Sequence, residues 1–234
     1  LEADLASNSI STADYTAVIP ADTNSAPPDS SPGGYGYILI AKNPTTTKLT
    51  GALADGTIFS QSVPCSSDGS LPVYANLYSG KGLVLGWLNL ASSSTNTNHS
   101  FGLTWICPDR KTGLLNYRDG FTNTLLPSQL MISQWTNPPE NLNELTNISL
   151  NSFVGATNSI TNIPISTTIV GESAKIAGES VTGTIALKTG GFKVTIGTGV
   201  SKTVGFGAIV PNHITKSGGY FLTQSNAQAI QFDH

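Results

Sequence analysis

The feature that most constrains this chain is its punctuation. Short runs rich in Val, Ile, Thr, Tyr, Phe and Trp are cut by turn residues about every 8–12 positions, a spacing that suits a β-sandwich or barrel and leaves no room for long helices. Asp55-Gly56 and Asp68-Gly69 are hairpin dipeptides, and Asn43-Pro44 and Ser79-Gly80-Lys81-Gly82 interrupt other runs. The runs between them read as strands. Tyr35–Ile40, Lys48–Ala54, Thr57–Val63, Leu71–Tyr78, Gly82–Leu90 and Ser100–Cys107 form a first set. A second set reads as Asn147–Val154, Ser166–Ile176, Val181–Lys188, Phe192–Thr198, Thr203–Val210, Gly219–Thr223 and Gln228–Phe232. Residues 108–145 are less regular, with at most a short helix over Leu125–Met131. The expected fold class is all-β: antiparallel barrel or sandwich halves built from two consecutive strand sets, with an extended N-terminal arm. The expected boundaries are an arm and linker at 1–34, a first half at 35–135 and a second half at 136–234. The two halves can equally form one continuous unit.

Composition narrows the function classes. Only 11% of the 234 residues are charged, against about 25% in an average domain. Ser, Thr and Asn take their place, at 27, 28 and 18 residues. Such a surface stays hydrated through hydroxyls and amides, is insensitive to salt, and is typical of proteins outside cells. With 11 Lys and Arg in all, no basic face for nucleic acid can be assembled. No stretch approaches the roughly 18 apolar residues of a membrane-spanning helix, so membrane insertion is not expected. The opening Leu1-Glu2-Ala3-Asp4 lacks a basic n-region and an apolar run, as expected of a processed chain or of a fragment of a larger surface protein.

Charge is unevenly distributed. Residues 1–34 hold five acids and no base, whereas residues 170–234 hold three acids and five lysines. Within the acidic arm, Tyr15-Thr16-Ala17-Val18-Ile19 is a β-prone patch, followed by the extended linker Ala26-Pro27-Pro28-Asp29-Ser30-Ser31-Pro32-Gly33-Gly34. These five residues are the candidate assembly arm. A β-prone strand on a polar tether can add to a neighbour's sheet edge, so self-association is an expected partnership.

No catalytic constellation is expected. Ser79-Gly80-Lys81-Gly82 lacks phosphate-loop spacing and a following helix. Gly178-Glu179-Ser180-Val181-Thr182-Gly183 is one residue away from a nucleophile elbow and lacks its strand-turn-helix context. His99, His213 and His234 read as loop or terminal residues rather than bases. Paired carboxylates about 5–10 Å apart could come only from Asp109, Asp119, Glu140 and Glu144. No cofactor or metal is expected, because two distant cysteines and three scattered histidines make no ligand cluster. Cys65 and Cys107 read instead as a disulfide closing a loop of roughly 40 residues, a bridge that would contribute about 3–4 kcal/mol in an oxidising compartment.

The aromatics supply the second functional reading. Trp87 and Trp105 lie among Leu and Ile and read as core. Tyr117 and Trp135 lie in loop-like sequence, where an exposed ring among amides would suit stacking on the apolar C–H face of a sugar. They are the candidate glycan-stacking residues, with a polysaccharide as the expected partner.

Gly34-Tyr35-Gly36-Tyr37, Leu53-Ala54-Asp55-Gly56-Thr57, Leu71-Pro72-Val73-Tyr74, Leu77-Tyr78-Ser79-Gly80-Lys81-Gly82, Gly86-Trp87-Leu88, Phe206-Gly207-Ala208-Ile209-Val210 and Gly218-Gly219-Tyr220-Phe221-Leu222 occur in that order. This series, over about residues 34–232, resembles an uncharacterised β-rich domain at the C-terminal side of large secreted and surface proteins of the Verrucomicrobia and Planctomycetes. The resemblance implies extracellular or cell-surface placement and brings no activity with it. The expected function is a non-catalytic extracellular structural or adhesive protein, including a filament subunit joined through its arm. The alternative is a carbohydrate-binding module of a secreted polysaccharide-degrading protein.

Overall fold

A computed structural model describes residues 13–20, 32–43, 45–90, 102–109, 117, 119–125, 130–137, 139, 142–154, 157–199, 202–223 and 226–233. The described residues form an all-β, antiparallel protein with no α-helix. None of its helical turns is long and apolar enough to cross a membrane.

The first part is a two-sheet sandwich. Strands β1 (Asp14–Ile19), β2 (Gly36–Lys42), β3 (Thr47–Ala52), β4 (Ile58–Val63) and β9 (Met131–Trp135) make a five-stranded sheet in the order β4-β3-β2-β1-β9. Strands β5 (Ser70–Leu77), β6 (Gly82–Asn89), β7 (Gly102–Cys107) and β8 (Phe121–Leu125) make a four-stranded sheet in sequence order. Period-two alternation builds the core between them. Tyr15, Ala17, Ile19, Ile38, Ile40, Leu49 and Phe59 point inward from the first sheet, and Leu71, Val73, Val84, Leu88, Leu103 and Trp105 from the second.

The second part is a closed barrel of eight consecutive antiparallel strands. They are β10 (Asn147–Val154), β11 (Thr157–Val170), β12 (Ser173–Gly178), β13 (Val181–Ala186), β14 (Gly191–Ile196), β15 (Thr203–Ala208), β16 (Gly218–Leu222) and β17 (Ala227–Asp233), with β17 pairing back on β10. Closure removes free sheet edges. The interior is filled by Ile148, Leu150, Ile163, Ile176, Val181, Ile185, Phe192, Val194, Ile230 and Phe232, with Phe192 and Phe232 edge-to-face at 4.9 Å. On β15 the inward positions are Gly205 and Gly207. A Cβ on Gly205 would overlap Ile230, and one on Gly207 would overlap the Phe192 ring, so large side chains occupy the space that glycine leaves.

The two parts pack through the β2-β1-β9 side of the five-stranded sheet, where β1 is buried on both faces; the outer positions of β3 and β4, Lys48, Thr50, Ile58, Ser60 and Ser62, are exposed. Its outer side presents Val18, Tyr37, Leu39 and Met131 to Ala208 and Val210 of the barrel. Thr16, also on this side, donates its hydroxyl to the Ile209 carbonyl at 2.6 Å. The β13–β14 turn presses against the same face. Gly190 has φ +76°, and a Cβ there would lie 2.6 Å from Thr16 Cγ2 and 2.7 Å from the Trp135 ring. Double-sided burial explains why β1 is apolar over successive positions rather than alternating.

Several expectations change. The Ser166–Ile176 run is not one strand, because it turns at Gly171-Glu172 between β11 and β12. The irregular region contributes β8, paired with the preceding β7, and β9, held by pairing with the distant β1. Met131 lies in β9, and residues 126–129 of the expected short helix lie outside the described residues.

Candidate functional site

The inner residues of β5, β6 and β7 fix the direction of the outer ones. With Val73, Val84, Leu88 and Leu103 turned into the core, the pleat turns Pro72, Tyr74 and Asn76 of β5 outward. Leu83, Leu85, Trp87 and Asn89 of β6 and Thr104 and Ile106 of β7 share that face. Tyr74 is 54% exposed, Leu85 40% and Trp87 37%. Register brings them together: Tyr74 is opposite Leu85, Pro72 is opposite Trp87, and Leu85 is opposite Thr104. Tyr74 and Trp87 are therefore diagonal neighbours, within about 7–8 Å of one another. Gly102 is opposite Trp87, so no side chain stands beside the indole on β7.

The face is held rigidly. The Gln61 side chain bridges the open edge of β5, its amide nitrogen donating to the Pro72 carbonyl at 3.3 Å and its carbonyl accepting from the Tyr74 N–H at 2.7 Å. The Tyr74 hydroxyl donates to Asn76 Oδ1 at 3.0 Å. Beneath the sheet, Trp105 Nε1 donates to the Tyr78 hydroxyl at 2.8 Å, which donates to Asp55 Oδ2 at 2.7 Å. Asp55 also accepts from the Thr57 N–H and hydroxyl, both at 2.9 Å. Burial, and then the Asp55 carboxylate, push the Tyr78 hydroxyl far above the usual tyrosine range. This half-buried relay pins the β5–β6 turn, where Tyr78 and Ser79 have φ +55° and +59°. Its groups are bonded to one another and brace the sheet from its inner side.

No Asp, Glu, Lys or Arg lies among the outward-facing described positions of β5, β6 and β7. The result is an uncharged platform of two aromatic rings and two leucines, flanked by amides and a threonine hydroxyl. It suits a ligand that is flat, apolar on one surface and rich in hydrogen-bonding groups at its rim.

The predicted site residues lie elsewhere. Tyr117 is buried, with φ +58°. Its hydroxyl donates to Asn226 Oδ1 and accepts from the Ala227 N–H at 2.9 Å, which pins the sandwich to the β16–β17 turn. Trp135 is buried, and its Nε1 donates to the Leu187 carbonyl at 2.7 Å. Neither buried ring is placed to stack on a sugar, contrary to expectation; the exposed aromatics of this sheet are Tyr74 and Trp87. Trp87, expected in the core, faces outward; Trp105 is buried as expected.

Cys65 and Cys107 are buried thiols that form no disulfide. Cys65 Sγ donates to the Ser70 carbonyl at 3.8 Å, at the start of β5. Cys107 ends β7, level with Leu77 at the end of β5, through Gly82. At about 3.3 Å per residue the two thiols are roughly 20 Å apart, far beyond the ~7 Å Cα limit for a bridge.

Tyr15–Ile19 of the candidate assembly arm form β1, bonded on one side to β2 and on the other to β9 of the same chain. Of the acid candidates, Asp109, Asp119 and Glu144 are exposed and Glu140 lies outside the described residues, as do His99 and His234. No cluster of three His, Cys, Asp or Glu residues that could hold a metal occurs among the described residues.

No family model, curated protein or solved structure matches the chain.

Proposed function

We propose that this protein is a non-catalytic, extracellular adhesive module that holds a neutral polysaccharide on the outer face of its four-stranded sheet. The observation that carries this reading is the pairing of exposed Tyr74 and Trp87 across Leu85 on an uncharged, braced surface. A pyranose ring presents apolar C–H bonds on its face and hydroxyls at its rim. The two rings meet the first, and Asn76, Asn89 and Thr104 are placed for the second. The absence of charge favours a neutral glycan over an acidic one. The Ser-, Thr- and Asn-rich composition supports placement outside the cell, as does the motif resemblance.

Retention on insoluble cellulose, chitin and mixed-linkage β-glucan tests the reading. The chain is expected to be retained by at least one of them. Tyr74→Ala and Trp87→Ala are each expected to lower retention at least tenfold while leaving the melting temperature nearly unchanged. Failure of every neutral polysaccharide to retain the chain, or retention indifferent to both substitutions, would sink the proposal.

A further inference from the structure

We propose that the hydrogen-bonded pair Tyr74–Asn76 reads a vicinal diol, so that the platform takes neutral glycans whose ring units keep two adjacent hydroxyls free. The inference rests on the polysaccharide reading and adds to it the class of glycan and the residue that selects it.

The first observation is the geometry of the pair. Tyr74 and Asn76 are two residues apart on β5 and share its outer face. Both are exposed, and the Tyr74 hydroxyl donates to Asn76 Oδ1 at 3.0 Å. That bond uses the single proton of the phenol. The phenol oxygen keeps its acceptor lone pairs, and the amide nitrogen keeps two N–H donors. An acceptor and a donor therefore stand side by side. Turning the amide over exchanges the two roles without changing the pattern: Asn76 Nδ2 then donates to the phenol, the amide oxygen accepts, and the phenol proton is offered outward. Adjacent hydroxyls on a pyranose ring lie about a hydrogen bond apart. One of them donates to the acceptor of the pair while its neighbour accepts from the donor. A lone hydroxyl gains only one of the two bonds.

The second observation is where the pair stands. Register sets Asn76 opposite Leu83, Tyr74 opposite Leu85, and Leu85 opposite Thr104 of β7. A sugar ring lying on Leu85 has the pair along one edge and the Thr104 hydroxyl along the other. Trp87, the next outward residue of β6, is placed under the following unit. The pair is also held before any ligand arrives. The Tyr74 N–H donates to Gln61 Oε1 at 2.7 Å, and the phenol is bonded to Asn76. Little freedom is left to lose on binding.

Glycan chemistry then ranks the neutral polymers. In cellulose, linked through the fourth carbon, the hydroxyls on the second and third carbons are free and adjacent. Most units of mixed-linkage β-glucan share this arrangement. In chitin an acetamide replaces the hydroxyl on the second carbon. In curdlan, linked through the third carbon, the two remaining ring hydroxyls are not neighbours. A site that bonds two adjacent hydroxyls discriminates against a ring that lacks one of them.

The test uses the full chain and its depletion from solution by amorphous cellulose, mixed-linkage β-glucan, chitin and curdlan. Retention by the first two is expected to exceed that by the last two about tenfold. Periodate cleaves the carbon–carbon bond of a vicinal diol and spares the internal units of curdlan. Cellulose oxidised by periodate and then reduced with borohydride is expected to fall to the chitin and curdlan level. Asn76→Ala is expected to lower retention on untreated cellulose about tenfold, with the melting temperature and the retention on curdlan unchanged. Chitin or curdlan retaining the chain as well as cellulose does would overturn the inference and leave the polysaccharide reading standing. The same holds for cellulose retention that survives periodate or the Asn76→Ala change. A chain retained by none of the four polymers would overturn both.

Discussion

The hydroxyl of Thr16 donates to the carbonyl of Ile209 at 2.6 Å, across the buried contact between the N-terminal strand and the barrel. The bond joins residues far apart in sequence, and both are fully buried. Thr16→Val keeps the shape and removes the donor, leaving the Ile209 carbonyl without this partner. The cost is expected to be about 1–3 kcal/mol. Urea unfolding followed by tryptophan fluorescence should show the midpoint shifting while the transition remains single.

The tryptophans separate binding from stability. Trp135→Ala removes a buried ring and its bond to the Leu187 carbonyl, and is expected to cost about 3–5 kcal/mol. Trp87→Ala acts on a ring already 37% exposed and is expected to cost less than about 1 kcal/mol. Calorimetry on both variants checks the contrast.

Two glycines make a second contrast. A Cβ on Gly207 would fall 2.6 Å from Phe192 Cε1, inside a packed barrel. Gly207→Ala is expected to destabilise by about 1–3 kcal/mol or more. Gly171, in the β11–β12 turn, has φ +61°, and nothing lies within 4 Å of the place a methyl group would take. Gly171→Ala carries only the left-handed backbone penalty, about 1–2 kcal/mol. Thermal melts of the two variants should rank them accordingly.

Neither cysteine should respond to reductant. Burial, the largest influence, pushes the Cys65 thiol up, outweighing nearby Lys42. Thiolate is correspondingly scarce at neutral pH. A chromogenic disulfide reagent is expected to label both thiols only after unfolding, and the melting temperature should be the same with and without dithiothreitol. Rapid labelling of the folded chain would contradict the burial of these side chains.

Alkali should loosen the contact between sandwich and barrel. Burial, and then proximity to Tyr37 and Asp55, push the Tyr220 hydroxyl up to about 12 from 10.0. A group whose value is raised on folding contributes stability fully below its unfolded value and loses that contribution as pH rises through the folded one. The fold is therefore expected to hold its stability to about pH 10 and lose it progressively toward pH 12. Ultraviolet phenolate titration of the parent and of Tyr220→Phe should show one late-ionising tyrosine missing in the variant.

Much of this architecture is legible in the sequence, for a physical reason: most strands meet their partners across short turns. Asp55-Gly56 marks the β3–β4 hairpin, and the alternation of Tyr37, Ile38, Leu39 and Ile40 is the pleat of β2. What stays hidden depends on distant partners. Met131–Trp135 become a strand only because β1 lies alongside. The hairpin at Gly171-Glu172 is masked because Thr167-Thr168-Ile169-Val170 before it and Ser173-Ala174-Lys175-Ile176 after it contain no further turn residue and read as one strand. The outward direction of Trp87 is hidden because β6 is apolar on both sides. The available signal is its phase: Trp87 keeps step with Leu85 and Asn89, whereas Val84 and Leu88 form the other row. Tyr117 and Trp135 read as exposed because loops usually are, yet both rings are buried against the barrel.

The middle position of β1 also sets a schedule. Its strand partner β9 ends at Trp135 and its barrel acceptor is Ile209. At a synthesis rate of about 5–20 residues per second, β1 leaves the ribosome roughly 6–20 s before β9 follows. Through that interval an apolar segment waits with one neighbour at most. One edge of β1 can thus be covered by β2 early, while its other edge is the last part of this sheet to be paired, once residue 135 has been made.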